Sequence, residues 1–317
     1  MNILIQMMPP TLMTAAPIII CALGGLFSER SGVVNIALEG IMLVGAFAGA
    51  TACVLLEPSL GSNAGWVSLI IAAVSGGVFS LLLAVSAINF KADQTIAGVA
   101  VNMLATGITL YLCQLIFEQQ RTVAFEKGIS KIKEIPLLSK IPILGEMFFS
   151  NVYPTFFLAL LIVFITYFVV YKTSFGLRLR SCGENPQASE SMGVNVYKIR
   201  YSGVIISGVL GGLAGAILVL TASTQYTSAS VHGVGFISLA ALIFGKWNPF
   251  GVLGAGLFFG FSNSLGVYAS MIPIINLLPS EIFSAIPYLL TLLALIMFSG
   301  KAVGPKAAGE IYDKGKR

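Results

Sequence analysis

The chain passes from Tyr153-Pro-Thr-Phe-Phe-Leu-Ala-Leu-Leu-Ile-Val-Phe-Ile-Thr-Tyr-Phe-Val-Val-Tyr171 directly into Lys172-Thr-Ser-Phe-Gly-Leu-Arg-Leu-Arg-Ser-Cys-Gly-Glu-Asn-Pro-Gln-Ala-Ser-Glu-Ser-Met-Gly193. The first stretch has no charged side chain, which is typical of a helix that crosses a hydrocarbon core roughly 30 Å thick. The second stretch is polar and basic, so we expect the chain to leave the membrane near Lys172.

This polar insert carries the signals of a short helix. Asn185 can cap a free backbone N–H, Pro186 fits the first helical position, and Gly193 can end the helix in the left-handed region. The pattern predicts a helix of about seven residues, roughly 10 Å long. Two turns are not stable alone in water, so the helix needs support from the membrane domain and from a partner. A docking loop for a cytoplasmic partner and an ordinary solvated loop both fit these residues.

Composition sets the class of protein. The chain is 56% hydrophobic and 10% charged, against roughly 25% charged residues in soluble domains. Its mean hydropathy is +0.92. We therefore expect an all-α polytopic membrane protein of about 8–10 transmembrane helices. Uncharged windows of spanning length occur at 11–27, 40–56, 66–88, 95–117, 153–171, 201–221, 250–270 and 282–299. The window 233–245 is shorter and predicts a short, broken or re-entrant helix.

Lysine and arginine predict the orientation. If 172–200 is cytoplasmic and 233–245 carries the chain across, 13 basic residues share that side and five lie in the loop 118–152. The asymmetry predicts a cytoplasmic C-terminus and an extracellular N-terminus. We expect one domain over 1–317, with an extracellular loop at 118–152, a cytoplasmic loop at 173–198 and a cytoplasmic tail at 300–317.

Several functional classes lack support in the sequence. The net charge of +5 is spread over several loops, and no nucleic-acid motif is present. The N-terminal segment lacks a basic n-region and a cleavage site, so we expect it to be retained. Three of the four cysteines lie in predicted spans and Cys182 in the cytoplasmic loop, which argues against disulfides or a metal cluster. His232 has no metal-ligand spacing to a second histidine or a glutamate. No P-loop motif occurs, so ATP hydrolysis is not expected on this chain.

Polar residues within the spans are candidates for a solute path. Asn35 and Glu39 are one helical turn apart, and a carboxylate in a span is expected to face protein or water rather than lipid. Gln94, Thr95 and Asn102 open the fourth span. These five residues can line a path for a hydrogen-bonding solute or can bond neighbouring helices.

Glycine and proline predict packing and a turn. Glycines four residues apart, at 208 and 212, 211 and 215, and 256 and 260, favour close approach of helices. Lys246-Trp-Asn-Pro-Phe-Gly251 predicts a tight turn before the span 250–270.

Four segments carry a family resemblance. They are 26–47, which includes Asn35-Ile-Ala-Leu-Glu-Gly-Ile-Met42, then 93–102, 175–189 and Gly245-Lys-Trp-Asn-Pro-Phe-Gly251. In this order they resemble the membrane permeases of bacterial ABC importers in the branched-chain amino acid, ribose and nucleoside group. The first segment is most similar to the nucleoside, or basic-membrane-protein-linked, branch. That family usually has a second alanine where this chain has Ser189.

The resemblance implies a type II ABC importer permease in the bacterial cell membrane. It implies a second, non-identical permease, a cytoplasmic ABC ATPase that holds ATP and Mg²⁺, and an extracellular solute-binding lipoprotein. This chain itself would need no cofactor. The residues implied in coupling to the ATPase are Gly183, Glu184, Asn185, Pro186, Gln187, Ala188, Ser189 and Gly193.

Alternatives remain open. The solute implied is a nucleoside, with a pentose or another simple sugar as the alternative. An ion-coupled secondary transporter would need intramembrane carboxylates and repeated broken helices, for which Glu39 alone gives little support. An integral membrane enzyme would need clustered His, Asp or Glu residues, which the sequence lacks.

Overall fold

The computed structural model describes residues 2–134, 139, 144–269 and 304–314. Over these residues the chain forms eleven α-helices and an antiparallel pair of short strands, β1 (Ile132–Glu134) and β2 (Ser150–Val152). The helices are α1 (Asn2–Arg30), α2 (Leu38–Leu60), α3 (Ala64–Ala84), α4 (Gln94–Phe117), α5 (Leu144–Phe148), α6 (Pro154–Lys172), α7 (Ser174–Glu184), α8 (Pro186–Ser191), α9 (Val196–Ala222), α10 (Val234–Phe244) and α11 (Pro249–Ala269). The predicted span 282–299 lies outside the described residues.

Five stretches of the described chain are long and apolar enough to cross a membrane, which confirms an all-α polytopic membrane protein. They are Ile5–Arg30, Leu38–Asn89, Gln94–Phe117, Pro154–Lys172 and Val196–Ala222. The 52 residues of Leu38–Asn89 fold back on themselves, because the turn Gly61–Asn63 lets α2 pack against α3. α11 matches the predicted span 250–270, and α10 is the short helix predicted within 233–245.

Helix α9 lies at the centre of the fold, where it packs against α1, α2 and α3. Its contacts with α2 and α3 are made backbone to backbone. A Cβ added to Gly45 would lie 2.2 Å from the carbonyl oxygen of Gly212, and one added to Gly76 would lie 2.4 Å from that of Gly208. The glycine pairs at 208/212 and 211/215 face other helices closely, and the pair at 256/260 contacts α1. The prediction of a packing role is confirmed.

The chain is not helical between α1 and α2, over residues 31–37. The expectation that Asn35 and Glu39 share one helical turn is therefore wrong, because α2 begins only at Leu38. The hydroxyl of Ser28 donates to the carbonyl oxygen of Val33 at 2.7 Å, and Gly32 takes a φ of 95°. This left-handed turn favours glycine and reverses the chain after α1. We call residues 31–37 the break.

The break reaches deep into the helix bundle. Asn35 contacts Ser207, which follows the first residue of α9 by roughly eleven residues, or about 16 Å at 1.5 Å per residue. Asn102 contacts Ile36 from about 12 Å into α4. The break and the start of α2 therefore lie inside the bundle, about two helical turns past the starts of the uncharged windows at 95–117 and 201–221.

The segments that the distribution of lysine and arginine predicts to be cytoplasmic lie together at one end of the bundle. Arg30 donates to the carbonyl oxygen of Trp247 at 3.1 Å, which ties α1 to the turn before α11. Lys91, between α3 and α4, forms an ion pair with Asp313 of the tail at 2.9 Å. Lys246 and Trp247 take φ values of 52° and 50°, and the predicted tight turn is confirmed. That this end faces the cytoplasm stays a prediction.

The opposite end carries the loop 118–152. Its residues 122–129 run along the end of α9 and the chain that follows. The backbone N–H of Phe125 donates to Thr224 at 2.9 Å, and that of Ile129 to Leu220 at 3.1 Å. His232 is exposed in the segment before α10.

Candidate functional site

The first candidate site is built around the carboxylate of Glu39, in the first turn of α2. Its Oε1 accepts the backbone N–H of Gly233 at 2.7 Å, and its Oε2 accepts that of Gly235 at 2.8 Å. Both donors belong to the N-terminus of α10, which carries partial positive charge. A Cβ on Gly235 would lie 2.6 Å from the backbone of Glu39, so only glycine allows this approach. Glu39 thus caps α10.

Three further side chains hold the break in place. Asn35 is fully buried and donates through Nδ2 to the hydroxyl of Ser207 at 2.8 Å. Asn102 accepts the backbone N–H of Gly40 at 2.7 Å and donates to the carbonyl oxygen of Ile36 at 3.0 Å.

The third of these side chains is that of Gln94, in the first turn of α4. Its Oε1 accepts the backbone N–H of Val34 at 2.7 Å. Asp93 caps the same turn through the backbone N–H groups of Thr95 and Ile96. The side chain of Thr95 is exposed and is not among the side chains that hold the break.

Four of the five residues predicted for the path therefore meet at one junction, at the break and the start of α2. Their polar atoms mainly contact backbone that would otherwise be unpaired in the membrane, where an unsatisfied group is costly. A role in the solute path stays a prediction. The sequence did not reveal Ser207 or the N-terminus of α10 as partners, since both are more than a hundred residues away in the chain.

The second candidate site is the short helix of the polar insert. Asn185 caps α8 by accepting the backbone N–H of Ala188 at 3.0 Å, Pro186 is the first helical residue, and Gly193 takes a φ of 83°. These signals are confirmed, and the helix Pro186–Ser191 has six residues rather than about seven. Of the residues predicted for coupling, Gly183, Pro186 and Ser189 are buried, whereas Glu184, Asn185, Gln187, Ala188 and Gly193 are exposed.

Helix α7, which was not predicted from the sequence, supports α8. Thr173 caps it by accepting the backbone N–H of Gly176 at 3.2 Å. The helix is polar overall but buries Leu179 and Cys182. Burial raises the pKa of the Cys182 thiol, which keeps it neutral. A Cβ on Gly183 would lie 2.4 Å from the carbonyl oxygen of Arg30, so α7 rests on the end of α1.

The described part of the C-terminal tail, 304–314, lies on the same surface. The hydroxyl of Tyr312 is hydrogen-bonded to the carboxylate of Glu190 in α8, and Lys314 lies 3.5 Å from the same carboxylate. Burial raises the pKa of Tyr312, so its phenol stays protonated and can donate. Within the described residues, no group of three or more His, Cys, Asp or Glu side chains could hold a metal ion.

Known proteins resemble the chain over nearly its full length. The guanosine ABC transporter permease protein NupQ of Bacillus subtilis (strain 168) is 50% identical over 316 residues, which cover 100% of this chain and 99% of NupQ. The nucleoside ABC transporter permease protein NupC of Lactococcus lactis subsp. cremoris (strain MG1363) is 43% identical over 305 residues, 96% of each chain. A second guanosine permease of B. subtilis, NupP, is 28% identical and covers 86% of this chain and 76% of NupP.

A solved structure has a related fold. It is a metal-chelate type ABC transporter in an inward-facing conformation, which matches 91% of this chain and 85% of its own with a TM-score of 0.50 and 15% identity. A family model described as branched-chain amino acid transport system / permease component matches residues 7–295. The chain therefore belongs to that family of membrane permeases.

Proposed function

We propose that this chain is a permease subunit of an ATP-driven nucleoside importer in a bacterial cell membrane. The observation that carries the proposal is the 50% identity with NupQ over the whole chain, supported by the 43% identity with NupC. Both relatives are named as permeases for guanosine or nucleosides. A pentose or another simple sugar is the alternative solute.

The proposed assembly has four kinds of subunit. A second permease completes the path, and we propose a non-identical one because both guanosine permeases of B. subtilis, NupQ and NupP, resemble this chain. A cytoplasmic ABC ATPase binds ATP and Mg²⁺, and an extracellular lipoprotein delivers the solute. This chain needs no cofactor of its own.

In this assembly α8 is the contact that transmits ATP hydrolysis. Its residues Gln187 and Ala188 are exposed, whereas Pro186 and Ser189 are buried. The break and α10 are the membrane elements that respond, because two non-helical junctions meet there at Glu39.

Reconstitution tests the proposal. Proteoliposomes that contain this chain, its second permease and its ATPase, supplied with the binding lipoprotein, should take up labelled guanosine only with ATP. Unlabelled adenosine should compete, and ribose and leucine should not. Competition by ribose alone would favour the sugar alternative. Uptake driven by a proton or sodium gradient without ATP would favour a secondary transporter and contradict the proposal.

A paired substitution tests the coupling role. Ala188→Glu places a bulky charge on the exposed side of α8, and Ala222→Glu places the same charge at the exposed end of α9 on the opposite side of the bundle. The first variant should express normally but lose ATPase co-purification and uptake. The second should retain co-purification. Normal uptake by Ala188→Glu would exclude α8 as the coupling contact.

A further inference from the structure

Residues 223–233, which we call the re-entrant segment, join the end of α9 to the start of α10 without forming a helix. The segment begins beside the loop 118–152, where the backbone N–H of Phe125 donates to the carbonyl oxygen of Thr224 at 2.9 Å. It ends at Glu39, which accepts the backbone N–H of Gly233 at 2.7 Å. The re-entrant segment therefore runs from one end of the bundle into its interior.

The length of α10 shows how far the segment reaches. The C-terminal end of α10 lies beside the end of α1, because Arg30 donates to the carbonyl oxygen of Trp247 at 3.1 Å. From there its 11 residues extend only about 16 Å, against a hydrocarbon core roughly 30 Å thick. The re-entrant segment covers the remaining distance to the opposite end of the bundle, so part of its non-helical backbone lies at the depth of the membrane.

The exposed side of the re-entrant segment is not expected to face lipid. Non-helical backbone at membrane depth is tolerated only where protein buries it or where it lines a water-filled cavity. Tyr226 and Val231 are buried and fix the segment to the bundle, whereas Ser228, Ala229 and His232 are exposed. That exposed side therefore faces either water or a second subunit.

Charge is absent from this wall. The sequence has no Asp, Glu, Lys or Arg in 221–245. The neighbouring carboxylate, that of Glu39, has one oxygen occupied by the backbone N–H of Gly233 and the other by that of Gly235. The wall therefore suits an uncharged solute better than a charged one.

The exposed groups can make the contacts that a nucleoside needs. The imidazole of His232 and the hydroxyl of Ser228 both donate and accept hydrogen bonds. Phe236, four residues past His232 in the first turn of α10, is 51% exposed. Every nucleobase has a π-face that can stack on such a ring, whatever its pattern of hydrogen-bonding groups.

We infer that the exposed side of residues 228–236 lines the solute path, where the Phe236 ring stacks on the base of a nucleoside and His232 forms a hydrogen bond with it. The inference rests on the proposed function. Since stacking does not depend on the identity of the base, this contact serves purine and pyrimidine nucleosides alike.

Water access is tested with single cysteines in a background without the four native ones. Ser228→Cys and Phe236→Cys should react with a small water-soluble thiol reagent when the chain is assembled with its second permease. Leu161→Cys is the control, because Leu161 is 56% exposed in the apolar middle of α6. It should react at least about tenfold more slowly, since a thiol in lipid does not form the reactive thiolate. Reaction that is lost on assembly would show that the second permease covers the segment, and would overturn the inference.

Solute contact is tested by uptake into proteoliposomes that hold the complete importer. Phe236→Leu should take up labelled guanosine and labelled uridine at least about fivefold more slowly, because it loses the stacking contact. Its thermal midpoint should not change, since the ring is exposed. Phe168→Leu is the matched control: its ring is 60% exposed on α6, and it should transport both nucleosides at the unmodified rate.

A pair of variants isolates the side chain of His232 from its backbone, which has a φ of 44°. Glycine and asparagine both tolerate this left-handed conformation. His232→Gly should therefore fold normally but transport several times more slowly, and His232→Asn, which keeps a hydrogen-bonding group, should transport faster than His232→Gly. Equal and unmodified rates in both would exclude contact between His232 and the solute.

The outcomes separate the inference from the proposed function. If the complete unmodified importer takes up guanosine with ATP and Phe236→Leu does so at the same rate, the proposed function stands and the inference fails. If the unmodified importer takes up no nucleoside with ATP, the proposed function fails and the solute contact fails with it. Fast reaction of Ser228→Cys would then still establish that the re-entrant segment lines water.

Discussion

Replacing Glu39 by glutamine should destabilise the membrane domain, because one carboxylate caps α10 with both oxygens. The two hydrogen bonds, at 2.7 and 2.8 Å, involve a charged acceptor, and such bonds contribute about 1.5–3 kcal/mol each. Glutamine keeps one neutral acceptor and turns an NH₂ group toward the second backbone donor. We expect the free energy of unfolding to fall by about 2–4 kcal/mol, since one hydrogen bond is weakened and the other backbone donor is left without a partner.

The thermal midpoint of the purified protein in detergent measures this loss. At about 2–4 °C per kcal/mol for a chain of a few hundred residues, Glu39→Gln should melt roughly 4–16 °C lower. Uptake should be assayed well below that midpoint, so that a fall in rate reports on transport rather than on unfolding.

Glu57→Gln is the matched control. Glu57 also accepts two backbone N–H groups, those of Glu126 and Lys127, at distances of 2.8–3.2 Å, but it does so at the exposed end of α2. Water can replace those bonds, so the loss should stay below about 1 kcal/mol. If Glu39→Gln melts no lower than Glu57→Gln, the capping of α10 does not stabilise the fold and the reasoning is wrong.

Three further outcomes are expected. Gly45→Ala should lower the free energy of unfolding by about 2 kcal/mol or more, because the new methyl group would overlap the backbone of α9. In Gly107→Ala, the control, the methyl group meets no atom within 4 Å, so this variant should melt at or above the original midpoint. Asn102→Ala should lower the midpoint and uptake together, since it removes the side-chain partner of the Ile36 carbonyl in the break and of the Gly40 N–H in α2. Uptake lost at full stability would instead place Asn102 in the path. Single cysteines at Ser130 and Glu310, both exposed, should label from opposite sides of intact cells with an impermeant reagent, and labelling of both from outside would refute the predicted topology.

The long helices could be predicted because the bilayer imposes their length. The apolar window at 153–171 is matched by α6, and the window at 201–221 by α9, which begins five residues earlier because Lys198 and Arg200 end the apolar run but not the helix. α7 was missed for the same reason. Only one face of this polar helix is buried, and its support comes from the end of α1 rather than from its own sequence.

The break could not be predicted, because its conformation depends on distant partners. Asn35 and Glu39 have helical spacing, and nothing local prevents a helix through them. What stabilises the alternative is the set of bonds from Ser207, Asn102 and Gly233. For α8 the signals are local instead, since a cap, a proline and a left-handed glycine act within the helix, and there the prediction was close.

The backbone contact of α9 with the α2–α3 hairpin has a consequence for biosynthesis. The hairpin leaves the ribosome with a groove lined by glycine, and the helix that fills it is finished about 140 residues later, roughly 7–28 seconds at 5–20 residues per second. During that interval the glycine-lined groove lacks the helix that fills it in the folded protein. The central contact of the fold can therefore form only after most of the chain has been translated.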